Sequence, residues 1–301
     1  MTNKVTKANW VAESPDGTYF AVGGIEEAND GFSRFALWKI DATTGAIVWK
    51  MIKGNAGSGS GLESVAFSSD GGIIVGGYSA ATGPIGDMVF KSSGIITEAT
   101  PTVAKLSAAD AGGSVTPTAF EWTHTETDPV YKGSTKSMRI DSAGNIFANV
   151  GTRTAILKID QASGAVIWKS GQIDANVQSN DIELVAADGG MILVGHHFGS
   201  TTTGCVGTGC SVIKGTMMKV DSTGTKVWGP KFFGNYPGGV NQYAGLGIGN
   251  WALIYNECWG VTTTYSPVDN SITGYAMACG TGIENCANEQ AASGGGFDAT
   301  T

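Results

Sequence analysis

Charge is scarce in this chain of 301 residues: 18 Lys and Arg stand against 26 Asp and Glu, 15% of the whole, with a formal balance of −8. No basic cluster occurs, which argues against nucleic acid as a partner, because binding a phosphate backbone needs grouped Lys and Arg that release counterions. No apolar run approaches the length of a membrane span, and the opening Met1–Trp10 is polar, without the apolar core of a signal peptide. Membrane insertion is therefore not expected, and an export signal, if there was one, has been removed or replaced. With only 3 histidines and no Cys-x-x-Cys pair, zinc-finger spacing is missing. No segment sustains a helical apolar period, and neither a Gly-x-Ser-x-Gly elbow nor a P-loop is present.

Glycine is what the chain has in excess. Its 46 glycines follow no Gly-X-Y period, so they read as tight turns rather than collagen, and 42% hydrophobic residues suffice for a large core. Self-similarity then organises the sequence. One half-module closes on Trp: LWKIDATTGAIVWK at Leu37–Lys50, ILKIDQASGAVIWK at Ile156–Lys169, MMKVDSTGTKVW at Met217–Trp228, and a copy stretched by an insertion at Ala104–Trp122. A second half-module precedes each of them, a turn followed by an apolar strand ending in Gly: Ser14–Gly24, Ser68–Tyr78, Asp141–Gly151 and Ala187–His197, with a fifth beginning at Gly245.

Each pair of half-modules supplies about four short strands. A single four-stranded sheet cannot bury both its faces, whereas radial stacking covers them. The expected fold is all-β, a β-propeller of about five to seven four-stranded antiparallel blades. The expected organisation is one domain over 1–301, with an N-terminal tail at 1–8 and a flexible Gly/Ala/Ser-rich tail at 287–301.

The stretches DATTGAIVWK and DQASGAVIWK resemble the repeat of quinoprotein-type propellers, in which an Asp-x-x-x-Gly-x-x-x-Trp segment docks each blade on the next. The DGG-containing units are also similar to repeats of secreted propellers of unknown role. The resemblance implies blade-docking roles for Asp41, Gly45 and Trp49, for Asp160, Gly164 and Trp168, and for Asp221, Gly224 and Trp228. It also implies a quinone pocket built on adjacent cysteines and Ca²⁺, and the chain has no adjacent cysteines. The repeat thus speaks for architecture more than for quinone chemistry.

Five cysteines include two closely spaced pairs, Cys205/Cys210 in GCVGTGC and Cys279/Cys286 in CGTGIENC, with Cys258 left over. Local disulfides are the expectation, unless Cys258 captures Cys279 from a neighbouring strand, and they imply an extracellular or cell-surface location. His124, Glu126 and Asp128 alternate in EWTHTETDP and would share one face of a strand, where hard ligands with one imidazole suit a divalent ion such as Ca²⁺; the ordinary alternative is a solvent-facing polar edge, and no cofactor is otherwise expected. Glu63 and Glu183 recur in LESVAF and IELVAA, which suggests equivalent structural places at blade starts. Tyr243, Trp251, Tyr255 and Trp259 belong to an aromatic-rich C-terminal part able to stack on sugars or bury against protein. The reading is a non-catalytic extracellular module that binds protein or glycan. A quinone-dependent or hydrolytic propeller enzyme, and a repeat subunit of a surface filament, shell or homo-oligomer, are its rivals.

Overall fold

A computed structural model describes residues 6–81, 99–151, 153–197, 211–233, 252–266, 268–269, 271–285 and 298–300. The chain divides into two compact units, Met1–Ile173 and Asp174–Thr301, where the repeat alone reads as one domain.

The first unit holds three four-stranded antiparallel sheets, each in chain order. Blade 1 is β1 (Thr6–Glu13), β2 (Tyr19–Glu27), β3 (Ser33–Asp41) and β4 (Ile47–Lys53). Blade 2 is β5 (Gly59–Phe67), β6 (Ile73–Ala81), β7 (Thr100–Leu106) and β8 (Trp122–Thr125). Blade 3 is β9 (Thr135–Ile140), β10 (Asn145–Val150), β11 (Ala155–Asp160) and β12 (Val166–Lys169). Middle strands are buried on both faces, as in β10, while β4 alternates exposed and buried, as an outermost strand should. Leu37, Trp49 and Met51 of blade 1 share a core with Leu62, Val65 and Leu106 of blade 2, and Ile74 and Val103 of blade 2 share another with Met138, Ile146 and Leu157 of blade 3. Neither sheet face could stay apolar without the neighbouring blade.

In the second unit β13 (Val177–Val185), β14 (Gly190–His197), β15 (Ser211–Val220) and β16 (Lys226–Phe233) repeat the meander as blade 4. The long hairpin of β17 (Ala252–Tyr265) and β18 (Ile272–Asn285) joins β15 by a short parallel pairing, and β19 (Asp298–Thr300) adds to β18, so this sheet has seven strands rather than four. The expected tails are shorter than read: β1 begins inside 1–8, and β19 lies inside 287–301. Among the described residues the helical segments are α1 (Ala108–Gly112) and a 3₁₀ turn, Pro129–Tyr131.

Among the described residues the first strand of each blade carries a bulge, a residue left unpaired where the register slips: Asn9, Glu63, Lys136 and Asn180, and Trp259 in β17; β5 slips a second time between Gly59 and Gly61. The bulge drives one backbone against the next strand. A Cβ on Gly24, Gly77 or Gly195 would sit 1.9 Å from the carbonyl oxygen of Lys7, Gly61 or Gln178 respectively, which is why β2, β6 and β14 carry glycine beside the bulge, while β10 has Val150 at that place.

Candidate functional site

The bulge residues form the first constellation. Asn9 Nδ2 donates to the Leu62 carbonyl at 2.8 Å, so blade 1 reaches the first strand of blade 2. Glu63 accepts from Ser134 Oγ at 2.9 Å, just before the first strand of blade 3, and pairs with Lys136 Nζ of that strand at 2.9 Å, and the two charged side chains are only 15% and 14% exposed. In the second unit Asn180 Nδ2 donates to the Cys258 carbonyl at 3.1 Å, and the next residue, Asp181, accepts from Val261 N at 3.1 Å. Glu183 lies three positions beyond Asn180 and accepts from Thr263, so it is not the counterpart of Glu63. A bulge cannot be seen in a single sequence; the one available signal was a polar residue recurring early in each first strand.

The Trp residues form the second. In all four blades a fourth-strand Trp lies opposite a third-strand Lys: Trp49 with Lys39, Trp122 with Lys105, Trp168 with Lys158, Trp228 with Lys219. Trp122 Nε1 donates to the Gln161 carbonyl at 3.0 Å, and its ring lies on Gly164, where an added Cβ would come within 2.7 Å of it. Trp49, 3% exposed, donates instead to the Gly113 carbonyl at 3.2 Å, on the segment that follows α1 and straps blade 2 to blade 1. Trp168 is half-buried edge-on to Phe147, and Trp228 is half-buried against the cluster of Val185, Ile192 and Val194.

Asp41, Asp160 and Asp221 act inside their own turns. Their carboxylates accept from Thr44, Ser163 and Thr223, side-chain hydroxyl and backbone N–H alike, which holds each below the usual carboxylate range. Gly45, Gly164 and Gly224 supply the left-handed residue that closes those turns.

In blades 2, 3 and 4 the Lys opposite the Trp has a partner in the turn between the first two strands. Lys105, whose side chain is 3% exposed, meets Asp70 at 2.6 Å and Glu121 at 3.2 Å; the Lys105 ammonium and then the Ser68 hydroxyl lower Asp70 to about 2. Lys158 lies 3.8 Å from Asp141, and Lys219 pairs with Asp188. In blade 1 the pattern breaks: Lys39 donates to the carbonyls of Gly112 and Gly113 at 2.8 and 3.0 Å and stands 4.1 Å over the Tyr19 ring. Burial pushes its pKa down.

The trio His124, Glu126 and Asp128 does not assemble into a metal site. Only His124 lies in β8; Glu126 falls beyond its end, so the strand alternation that would have aligned the three is lost. Glu126, 4% exposed, is held by Lys169 Nζ at 2.6 Å, with His124 Nε2 at 3.7 Å. Asp128 caps the 3₁₀ turn by accepting from Val130 N at 3.0 Å. Desolvation lowers the His124 pKa, against the opposing pull of Glu126. Among the described residues no three His, Cys, Asp or Glu side chains converge on one point.

Cys279 bonds to Cys258, S–S 2.08 Å, not to Cys286. The register sets Cys258 directly opposite Cys279, whereas the extended run from Cys279 to Asn285 carries the chain about 20 Å onward, at about 3.3 Å per residue, where a turn was expected. Cys205, Cys210 and Cys286 lie outside the described residues, as do Tyr243, Trp251 and the side chain of Tyr255. Trp259 is the unpaired residue of the β17 bulge and is 51% exposed.

A cleft of about 350 Å³ opens between blades 1 and 2, lined by Phe35, Phe120, Thr102, Thr123 and Thr125 with Lys53 among them.

No family model matches the sequence, and no curated protein does. Among solved structures the chain is similar to a periplasmic gluconolactonase of Pseudomonas aeruginosa, at 13% identity and TM-score 0.48 over 99% of this chain and 72% of that one. It is similar to a protein of unknown function from Dyadobacter fermentans, at 14% identity and TM-score 0.48 over 100% and 86%. It is also similar to the quinohemoprotein alcohol dehydrogenase of Comamonas testosteroni, at 12% identity and TM-score 0.46, covering 88% of this chain but 55% of that enzyme. The fold rests on the blades themselves: four antiparallel meanders, each with the same Lys–Trp register and the same first-strand bulge, make this an all-β chain of the β-propeller class.

Proposed function

We propose that this chain is a non-catalytic propeller module that works outside the cytoplasm and binds protein or glycan. The observation that carries the reading is the use made of the acidic side chains on the first strands. Glu63 is neutralised by Lys136 and bonded by Ser134, Asp181 holds a backbone N–H of β17, and Glu183 holds Thr263. Carboxylates committed in this way stabilise joints between strands, whereas general acid–base work needs a carboxyl free to exchange its proton with a bound substrate. The Cys258–Cys279 bond supports an oxidising compartment.

Two measurements test this. On natively isolated protein, alkylation followed by peptide mapping should recover Cys258 linked to Cys279; finding both as alkylated thiols would remove the ground for the location. A glycan array and a dye-reduction assay with added quinone and Ca²⁺ should give binding in the first and no turnover in the second. Turnover that disappears in Glu63→Gln would overturn the non-catalytic reading.

A further inference from the structure

The cleft between blades 1 and 2 has a distinct chemistry. Phe35 of β3 and Phe120 of the strap stand 5.6 Å apart at 37°, making one apolar wall. Leu62, Val75, Ala104 and Ala119 continue the apolar lining, and threonine hydroxyls are set into it: Thr102, bonded to Ser79 at 3.0 Å, and Thr123 with Thr125, two exposed residues on the same face of β8. No carboxylate lines it, and the one charged group, the Lys53 ammonium, is bonded to the Thr118 carbonyl. Its volume of about 350 Å³ lies at the small end of ligand pockets. A purely apolar ligand would strip water from the exposed Thr123 and Thr125 hydroxyls without replacing its hydrogen bonds, at a cost for each one desolvated. A flat ring with an apolar C–H face and a rim of hydroxyls satisfies both walls at once.

We infer that this cleft binds a neutral sugar of one or two rings, stacked on Phe35 and Phe120 and hydrogen-bonded through Thr123 and Thr125. The inference rests on the glycan side of the reading above and assigns it a place. Gly61 at the cleft lies tightly against its neighbours, where a Cβ would meet Ile25 at 2.6 Å and the Tyr78 ring at 2.8 Å.

The test is a titration of the full chain with maltose, cellobiose and lactose, followed by saturation-transfer NMR and calorimetry. At least one disaccharide should bind, and Phe120→Ala and Thr125→Val should each weaken it by about tenfold, the size expected for one lost stacking face or hydrogen bond. Thr123→Val and Thr125→Val alter exposed side chains, so they keep the test valid should Phe120→Ala disturb the strap. Absence of binding by all three sugars overturns the inference. Binding that survives every variant also overturns it, while leaving the wider glycan reading in place with its site elsewhere.

Discussion

Two joints in the first unit solve one problem with different parts. At the joint between blades 2 and 3, Trp122 lies on the turn that contains Gly164 and donates to the Gln161 carbonyl, while Lys105 of its own blade is neutralised by Asp70 and Glu121. At the joint between blades 1 and 2, the corresponding Trp49 and Lys39 both donate to the strap, at Gly113 and at Gly112 with Gly113. The insertion that stretches the fourth copy of the repeat thus stands where a tight turn stands elsewhere. It supplies carbonyls in place of a carboxylate, so Lys39 is solvated by dipoles and an aromatic face while Lys105 sits in an ion pair. The two arrangements show that the repeat specifies the donors, Lys and Trp, while the acceptor varies: Trp49, Trp122 and Lys39 reach the next blade, and Lys105 finds its carboxylates within its own.

The largest expected effect breaks either joint at its Trp. Trp49→Ala should cost about 3–5 kcal/mol in urea unfolding, as for a large buried aromatic, and Trp122→Ala about 2–3 kcal/mol because its ring is half-buried. Equal losses at the two positions would mean that the strap adds nothing to what the turn provides. The first-strand charges come next. Lys136→Met leaves Glu63 without its cation and should cost about 2 kcal/mol, and Glu63→Gln in the same chain should recover part of it, a double-mutant cycle that reads the pair directly.

Glycine separates the joints more sharply. Gly164→Ala places a methyl 2.7 Å from the Trp122 ring on a left-handed residue, whereas Gly45→Ala meets nothing within 4 Å and bears only the backbone term, about 1 kcal/mol. The difference between the two variants should vanish in a Trp122→Ala background. The smallest effect is a slope in pH. Asp70 titrates near 2 in the folded chain against 3.8 in a free one, so its contribution is present above about 3.8 and is lost as pH falls towards 2. Lys105→Met should flatten that part of the acid-unfolding profile. Lys39→Met should leave it unchanged, since Lys39 hydrogen-bonds to carbonyls of the strap.

Much of this was legible before any coordinates. The recurrence of Lys, Asp, Gly and Trp marks local geometry, a turn closed by a left-handed glycine and two strands whose pairing follows from that turn, and such features depend on residues close in sequence. What was misread involved longer reach. Cys279 and Cys286 looked like the ends of a hairpin because Gly and Asn usually turn a chain, yet the partner strand β17 holds that segment extended and presents Cys258 instead. His124, Glu126 and Asp128 share one face only in a strand that continues past Thr125, and β8 ends there. Glu63 and Glu183 looked equivalent because a bulge shifts register without leaving a mark on the residue types around it.

The sequence by itself determined the strand class, the blade unit and the recurrence of Lys, Asp, Gly and Trp within it, because turn chemistry and alternation act over a few residues. Only the tertiary structure decided which acceptor each donor meets, which cysteine is opposite which, and that a largely apolar cleft with threonines in its lining lies beneath the strap. Those outcomes depend on where separate strands come into register, and pairing between segments distant in the chain is set by the packing of whole blades rather than by any residue's own preference.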